Sequence, residues 1–136
     1  MKRILFDTNV ILDVLLDRQP FVDASAAAWA AAETGVAEGM IAAHAVTTIH
    51  YLVRNERNNV QAKRTVAAIL RVFKIAPVDG VVIQEALQLS LADFEDAVTA
   101  AAARSVGCDY VVTRDPKGFR GSSVHPLLPE AVSPLL

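Results

Sequence analysis

The sequence predicts an α/β domain with a mostly parallel sheet. Short apolar runs of strand length alternate with segments of helical period along the whole chain. The first three connections between those runs have room for two helices each, which suits right-handed crossovers between parallel strands. Acidic residues recur where the strands end. In open parallel sheets that is the edge that binds ligands.

The first strand is Lys2-Arg3-Ile4-Leu5-Phe6, ending at Asp7. Asp7 or Thr8 can cap a helix in which Val10, Ile11, Val14 and Leu15 share a face. Arg18-Gln19-Pro20 is a turn. Residues 21–34 form a helix rich in alanine, closed by Gly35. Its alanines permit close packing, and Trp29 offers an oligomer contact, expected to make a homodimer. Residues 38–42 are a second strand. His44 to Arg57 is a helix, and Asn58 or Asn59 caps the next, 60–74, which is expected to bury Val66, Ile69, Leu70 and Phe73. Residues 74–78 are a third strand. Asp79 caps a helix through Leu89, and Asp93 caps another, 94–106, stopped by Gly107. Tyr110-Val111-Val112-Thr113 is the clearest strand. Residues 114–121 are a loop, Ser123-Val124-His125 a short fifth strand, and Pro129 starts a last helical turn.

With 136 residues, 53% of them apolar, the chain suits one domain over 1–136 and has material for a core. A net charge of −2 excludes a globally basic nucleic-acid coat. No apolar run is long enough to span a membrane, and Asp7, Asn9 and Asp13 break any signal-peptide core. The lone Cys108 excludes an internal disulfide and a zinc site built mainly from thiolates. A soluble protein of a reducing, cytoplasmic compartment is the expectation.

Three acidic positions carry the chemistry. Asp7 follows the first strand, Asp115 the fourth, and Asp93, Glu95 and Asp96 crowd the start of the helix leading into that fourth strand. If strands 1 and 4 are neighbours, all meet at one sheet edge. Clustered carboxylates repel unless a cation neutralises them, and hard divalent ions prefer oxygen ligands. Asp7, Asp96 and Asp115 therefore read as an open site for Mg²⁺ or Mn²⁺ suited to phosphate-ester chemistry. Capping alone also accounts for Asp7, and accounts for Asp93 better than metal binding does, and a turn accounts for Asp115. Charge is also uneven. Arg54 to Lys74 holds six basic residues and one acid, whereas Asp79 to Asp96 holds five acids and no base. A basic helical pair beside an acidic pocket suits a phosphate backbone, with Arg64, Arg71 and Lys117 as phosphate contacts; an ordinary solvated face is the alternative.

Asp7-Thr8-Asn9-Val10-Ile11-Leu12-Asp13 after an apolar strand resembles the opening motif of PIN-domain ribonucleases. Phe94-Glu95-Asp96-Ala97-Val98 resembles their central Asp-Ala motif, and Tyr110-Val111-Val112-Thr113-Arg114-Asp115 with Phe119 their closing motif. The order and spacing match over essentially the whole chain, and the pattern is most similar to VapC-type toxins of toxin–antitoxin pairs. The resemblance implies a single PIN-like domain with a central parallel sheet, order 3-2-1-4-5, flanked by helices. It implies a Mg²⁺- or Mn²⁺-dependent endoribonuclease, an RNA substrate, a small antitoxin partner and products with 5′-phosphate ends. It carries Asp7, Asp96 and Asp115 over as catalytic and metal-binding acids, with Asp93 as a helper and Asn9 and Thr113 as pocket support.

Two departures stand out. The family usually has a glutamate on the helix after strand 2, and here the matching place is expected to hold His50, facing the pocket. Gly118 stands where relatives often place another acid. Both weaken a second metal position, so a catalytically weak PIN-like module that binds RNA or protein is the alternative reading. Asp7-Thr8-Asn9 also resembles the Asp-x-Asp opening of haloacid-dehalogenase-like phosphatases, but Asn9 cannot act as the general acid supplied there by the second aspartate.

Overall fold

The computed structural model describes all 136 residues. Five parallel strands form one sheet: β1 (Arg3–Phe6), β2 (Glu38–Ala42), β3 (Lys74–Ala76), β4 (Tyr110–Val112) and β5 (His125–Leu127). Their order is β3-β2-β1-β4-β5, as expected. β1 is central, pairing Leu5 with Met40 of β2 and with Val111 of β4. The fifth strand begins at His125, two residues later than expected.

Alternation along β1 explains the layering. Ile4 and Phe6 point to one face and Leu5 to the other. The Ile4/Phe6 face packs on α1 (Thr8–Leu15), α2 (Val22–Glu33), α3 (Ala43–Glu56) and α4 (Asn59–Val72). The Leu5 face packs on α5 (Gly80–Gln88) and α6 (Phe94–Ser105). α6 buries Ala97, Ala100, Ala101, Ala102 and Ala103, small side chains that let it lie close on the sheet. No helix is long and apolar enough to cross a membrane.

The caps follow the sequence. Asp7, Asn58, Asp79 and Asp93 each accept a backbone N–H at the start of α1, α4, α5 and α6. Gly39 permits the close approach of α2 to β2, since a Cβ there would lie 2.7 Å from the Ala32 methyl and 2.8 Å from the Phe73 ring.

Three packing expectations are corrected. Trp29 is not a surface contact for a second copy; it is 9% exposed, packs edge-on against Phe73 with centroids 5.0 Å apart, and donates its ring N–H to Glu33. α4 ends at Val72, so Phe73 buries its ring as the chain turns into β3. On α4 itself Ala62 and Ile69 face the core, while Leu70 is 55% exposed.

Candidate active site

The carboxyl edge of β1 and β4 gathers the acids. Asp7 follows β1 directly, and its backbone N–H donates to Val112 of the neighbouring strand. Its carboxylate accepts the Thr8 N–H at 2.9 Å and the Thr113 hydroxyl at 2.9 Å. Thr113 is fully buried, and its hydroxyl oxygen also accepts the Asp115 N–H at 3.1 Å. One side chain thus ties the end of β1 to the loop after β4. Burial raises the Asp7 pKa above its ordinary value, and the two hydrogen bonds restrain that rise.

α6 runs back against the strands, so its first turn lies at the same edge. Asp93 caps it through the Asp96 N–H at 3.0 Å. Asp96 is half-buried. Desolvation, with the charges of Asp7, Asp93, Glu95 and Asp115, pushes its pKa up to about 7. Asp7, Asp93, Glu95 and Asp96 line a cavity of about 320 Å³ with Asn9 and Thr48. Asp115 stands beside Asp96 across Gly118. A Cβ on Gly118 would lie 2.8 Å from Asp115 Oδ2 and 3.1 Å from Asp96 Oδ2, so the missing side chain leaves a cradle between two carboxylates.

His50 is not in this cavity, and the expectation that it faces the acids is corrected. α3 presents Thr48 and Leu52 there. His50 lies two residues beyond Thr48, and so on another face of the helix. The histidine beside the acids is His44, in the first turn of α3. Its Nε2 lies 3.3 Å from the Thr99 hydroxyl, and it interacts with Glu95 and Asp7. Burial lowers its pKa, and its Nδ1 is buried without a partner. The signal for Thr48 was the helical period. Ala45, Ile49 and Val53 are buried, and His44, Thr48 and Leu52 form the adjoining stripe.

Of the expected RNA contacts, Lys117 lies in a 3-10 turn, Pro116–Phe119, beside Gly118. Arg64 and Arg71 are exposed on α4, outside the cavity, and neither forms an ion pair. A larger cavity, about 490 Å³ between α5 and α6, holds Glu85 and Arg104 but none of these acids.

An α/β sheet with acids converging at the ends of its two central strands defines a class of fold with a carboxylate-rich ligand edge. The PIN domain family model matches residues 3–117, and the chain belongs to that family. Its fold is similar to that of the FitAB complex bound to an IR36 DNA fragment, with 26% identity, a TM-score of 0.75 and coverage of 93% of this chain and 95% of that one. It is also similar to a toxin–antitoxin complex from Klebsiella pneumoniae, with 17% identity, a TM-score of 0.70 and coverage of 93% and 97%. A third similar structure is Mycobacterium tuberculosis VapC20, a sarcin-ricin loop cleaving toxin, with 16% identity, a TM-score of 0.65 and coverage of 79% and 86%. No curated protein matches the sequence significantly.

Proposed function

We propose that the protein is a metal-dependent endoribonuclease and the toxin of a toxin–antitoxin pair. The observation that carries this is the meeting of Asp7, Asp96 and Asp115 at one edge of a PIN fold, where burial first and the neighbouring carboxylates second push the Asp96 pKa up to about 7. The donor set fits a hard divalent cation, Mg²⁺ or Mn²⁺, because the charged groups lining the cavity are all carboxylates and Gly118 leaves a cradle between Asp96 and Asp115. No three of the acids are set close enough to clasp one ion as they stand. Like charges spread, and Asp115 is exposed and free to turn inward.

A divalent ion held by Asp7, Asp96 and Asp115 supplies Lewis-acid stabilisation of the phosphodiester and a nucleophilic water at neutral pH. The chain's own residues do the rest. Thr113 and the Thr8 N–H hold the Asp7 carboxylate in place. Asp93 holds the first turn of α6 so that Asp96 faces Asp7. Asn9 supplies an amide at the cavity rim. Lys117 beside the acids, with Arg64 and Arg71 on α4, offers positive charge to the phosphate backbone. Thr48 leaves the α3 side of the cavity without a carboxylate, which favours one tightly held ion over two. The named relatives, a toxin–antitoxin complex and a sarcin-ricin loop cleaving toxin, support an RNA substrate and an antitoxin partner.

The test is RNA cleavage with and without Mn²⁺. Wild type should yield 5′-phosphate ends, Asp7→Asn should lose activity, and Glu130→Gln should retain it. Equal cleavage by the two variants, or cleavage indifferent to Mn²⁺, overturns the assignment.

A further inference from the structure

Asp13 and Arg114 form a charged pair outside the acidic cavity. Asp13 lies on α1, one helical face away from the acidic edge, and is fully buried. Its Oδ2 accepts the Ser25 hydroxyl at 3.0 Å and meets Arg114 Nε at 3.0 Å, as an ion pair rather than an aligned hydrogen bond. Its Oδ1 has no partner. The Arg114 guanidinium lies over the Phe21 ring, 3.9 Å from its centroid, so it is held on one side by charge and on the other by an aromatic face.

A buried ion pair is a poor device for stability, since desolving both charges offsets their attraction, and an unpartnered carboxylate oxygen adds to the cost. What such a pair does supply is a fixed position for the chain that carries it. Arg114 stands between Thr113, which holds Asp7, and Asp115. The Asp115 carboxylate makes no hydrogen bond of its own; only its backbone is tied, by its N–H to Thr113 and its carbonyl to Gly118. The next side chain with a firm anchor is that of Arg114.

We propose that the Asp13–Arg114 pair, clasped by Ser25 and Phe21, is a tether that sets the loop after β4 so that Asp115 stands beside Asp96. Both are positioning residues: neither touches the acids, and each acts through the backbone of Asp115. This rests on the reading of Asp7, Asp96 and Asp115 as a cation site. Groups that orient metal ligands from behind commonly change affinity or activity by about 10–100-fold when removed.

The experiment is Mn²⁺ titration calorimetry with RNA cleavage kinetics and melting curves on the intact protein. Arg114→Gln leaves Asp13 buried and unpaired, and its fold is at risk. The second variant therefore replaces both charges with apolar side chains, Asp13→Leu with Arg114→Met, which buried pairs often tolerate without loss of stability. That variant should melt like wild type yet bind Mn²⁺ about tenfold more weakly, with kcat reduced and KM for RNA unchanged. Arg114→Lys, which keeps the charge, should recover most of the affinity. Wild-type Mn²⁺ affinity and kcat in the apolar variant overturn the tether alone, provided that Asp7→Asn abolishes binding. Wild type that binds no Mn²⁺ overturns the cation site and the tether together.

Discussion

Thr113→Val tests whether one buried hydroxyl holds the acidic edge together. The substitution keeps the side-chain shape and removes the bond to Asp7 Oδ2 and the acceptor for the Asp115 N–H. A hydrogen bond to a charged group contributes about 1.5–3 kcal/mol, whereas the Asp115 N–H belongs to an exposed residue and can turn to water at little cost. A loss of about 2–3 kcal/mol is therefore expected, and in a domain of this size it lowers the melting temperature by roughly 7–10 °C. Thr113→Ser is the control: it keeps the hydroxyl and loses one buried methyl, at about 1 kcal/mol. The deficit of the valine variant should also depend on pH. The lost bond favours ionised Asp7, whose pKa burial already raises and the substitution raises further, so the deficit is full above the variant's Asp7 pKa and has vanished once pH falls below that of wild type. Thermal melts of both variants across the acidic range read this. A valine variant no less stable than the serine one, or a deficit unchanged by pH, refutes the reasoning.

Three further outcomes are expected. Thr48→Glu places a carboxylate in the cavity and should strengthen Mn²⁺ binding and cleavage, whereas His50→Glu, on another face of α3, should change neither; the reverse result in calorimetry restores His50 to the site. Asp96 has its pKa raised from 3.8 to about 7, so the folded chain binds the extra proton between those values and the metal-free protein loses stability as pH rises through that window. Asp96→Asn should make that slope much shallower in denaturant midpoints taken at about pH 5 and about pH 8, the remainder belonging to Asp7, whose pKa burial also raises; a slope as steep as in wild type shows that Asp96 does not carry it. Neutralising Arg64 and Arg71 together should weaken RNA binding and flatten its salt dependence, because each phosphate contact releases counterions; an unchanged slope makes that face of α4 a solvated surface.

The parts of the fold written in local pattern were legible in the chain. Ile4-Leu5-Phe6 and Tyr110-Val111-Val112 read as strands because continuous apolar runs suit a sheet covered on both faces. Asp79 and Asp93 read as caps because the side chain that caps stands next to the helix it starts. The acids were found the same way, each just past a strand or at a helix start. What was not legible depends on which neighbour an element meets. Trp29 looked available because α2 is alanine-rich on every side, and only the arrival of Phe73 from a distant turn buries it. Leu70 was expected inside on helical period, but the buried stripe of α4 carries Ala62 and Ile69 and leaves Leu70 outside. His50 was expected at the cavity because it stands at about the place of the family's glutamate on the helix after β2. The cavity is instead lined from the stripe containing Thr48, whose side chain carries no charge to betray it. The Asp13–Arg114 pair joins α1 to the loop after β4, and nothing near either residue in sequence announces it.

The central claim is that Asp7, Asp96 and Asp115 hold one divalent cation. The most direct measurement is an anomalous diffraction map from crystals grown with Mn²⁺. One strong peak is expected at the carboxyl ends of β1 and β4, with oxygens of these three residues at about 2.0–2.2 Å and Asp115 turned inward across Gly118. A peak elsewhere on the molecule, or no peak at this edge with Mn²⁺ in excess, contradicts it.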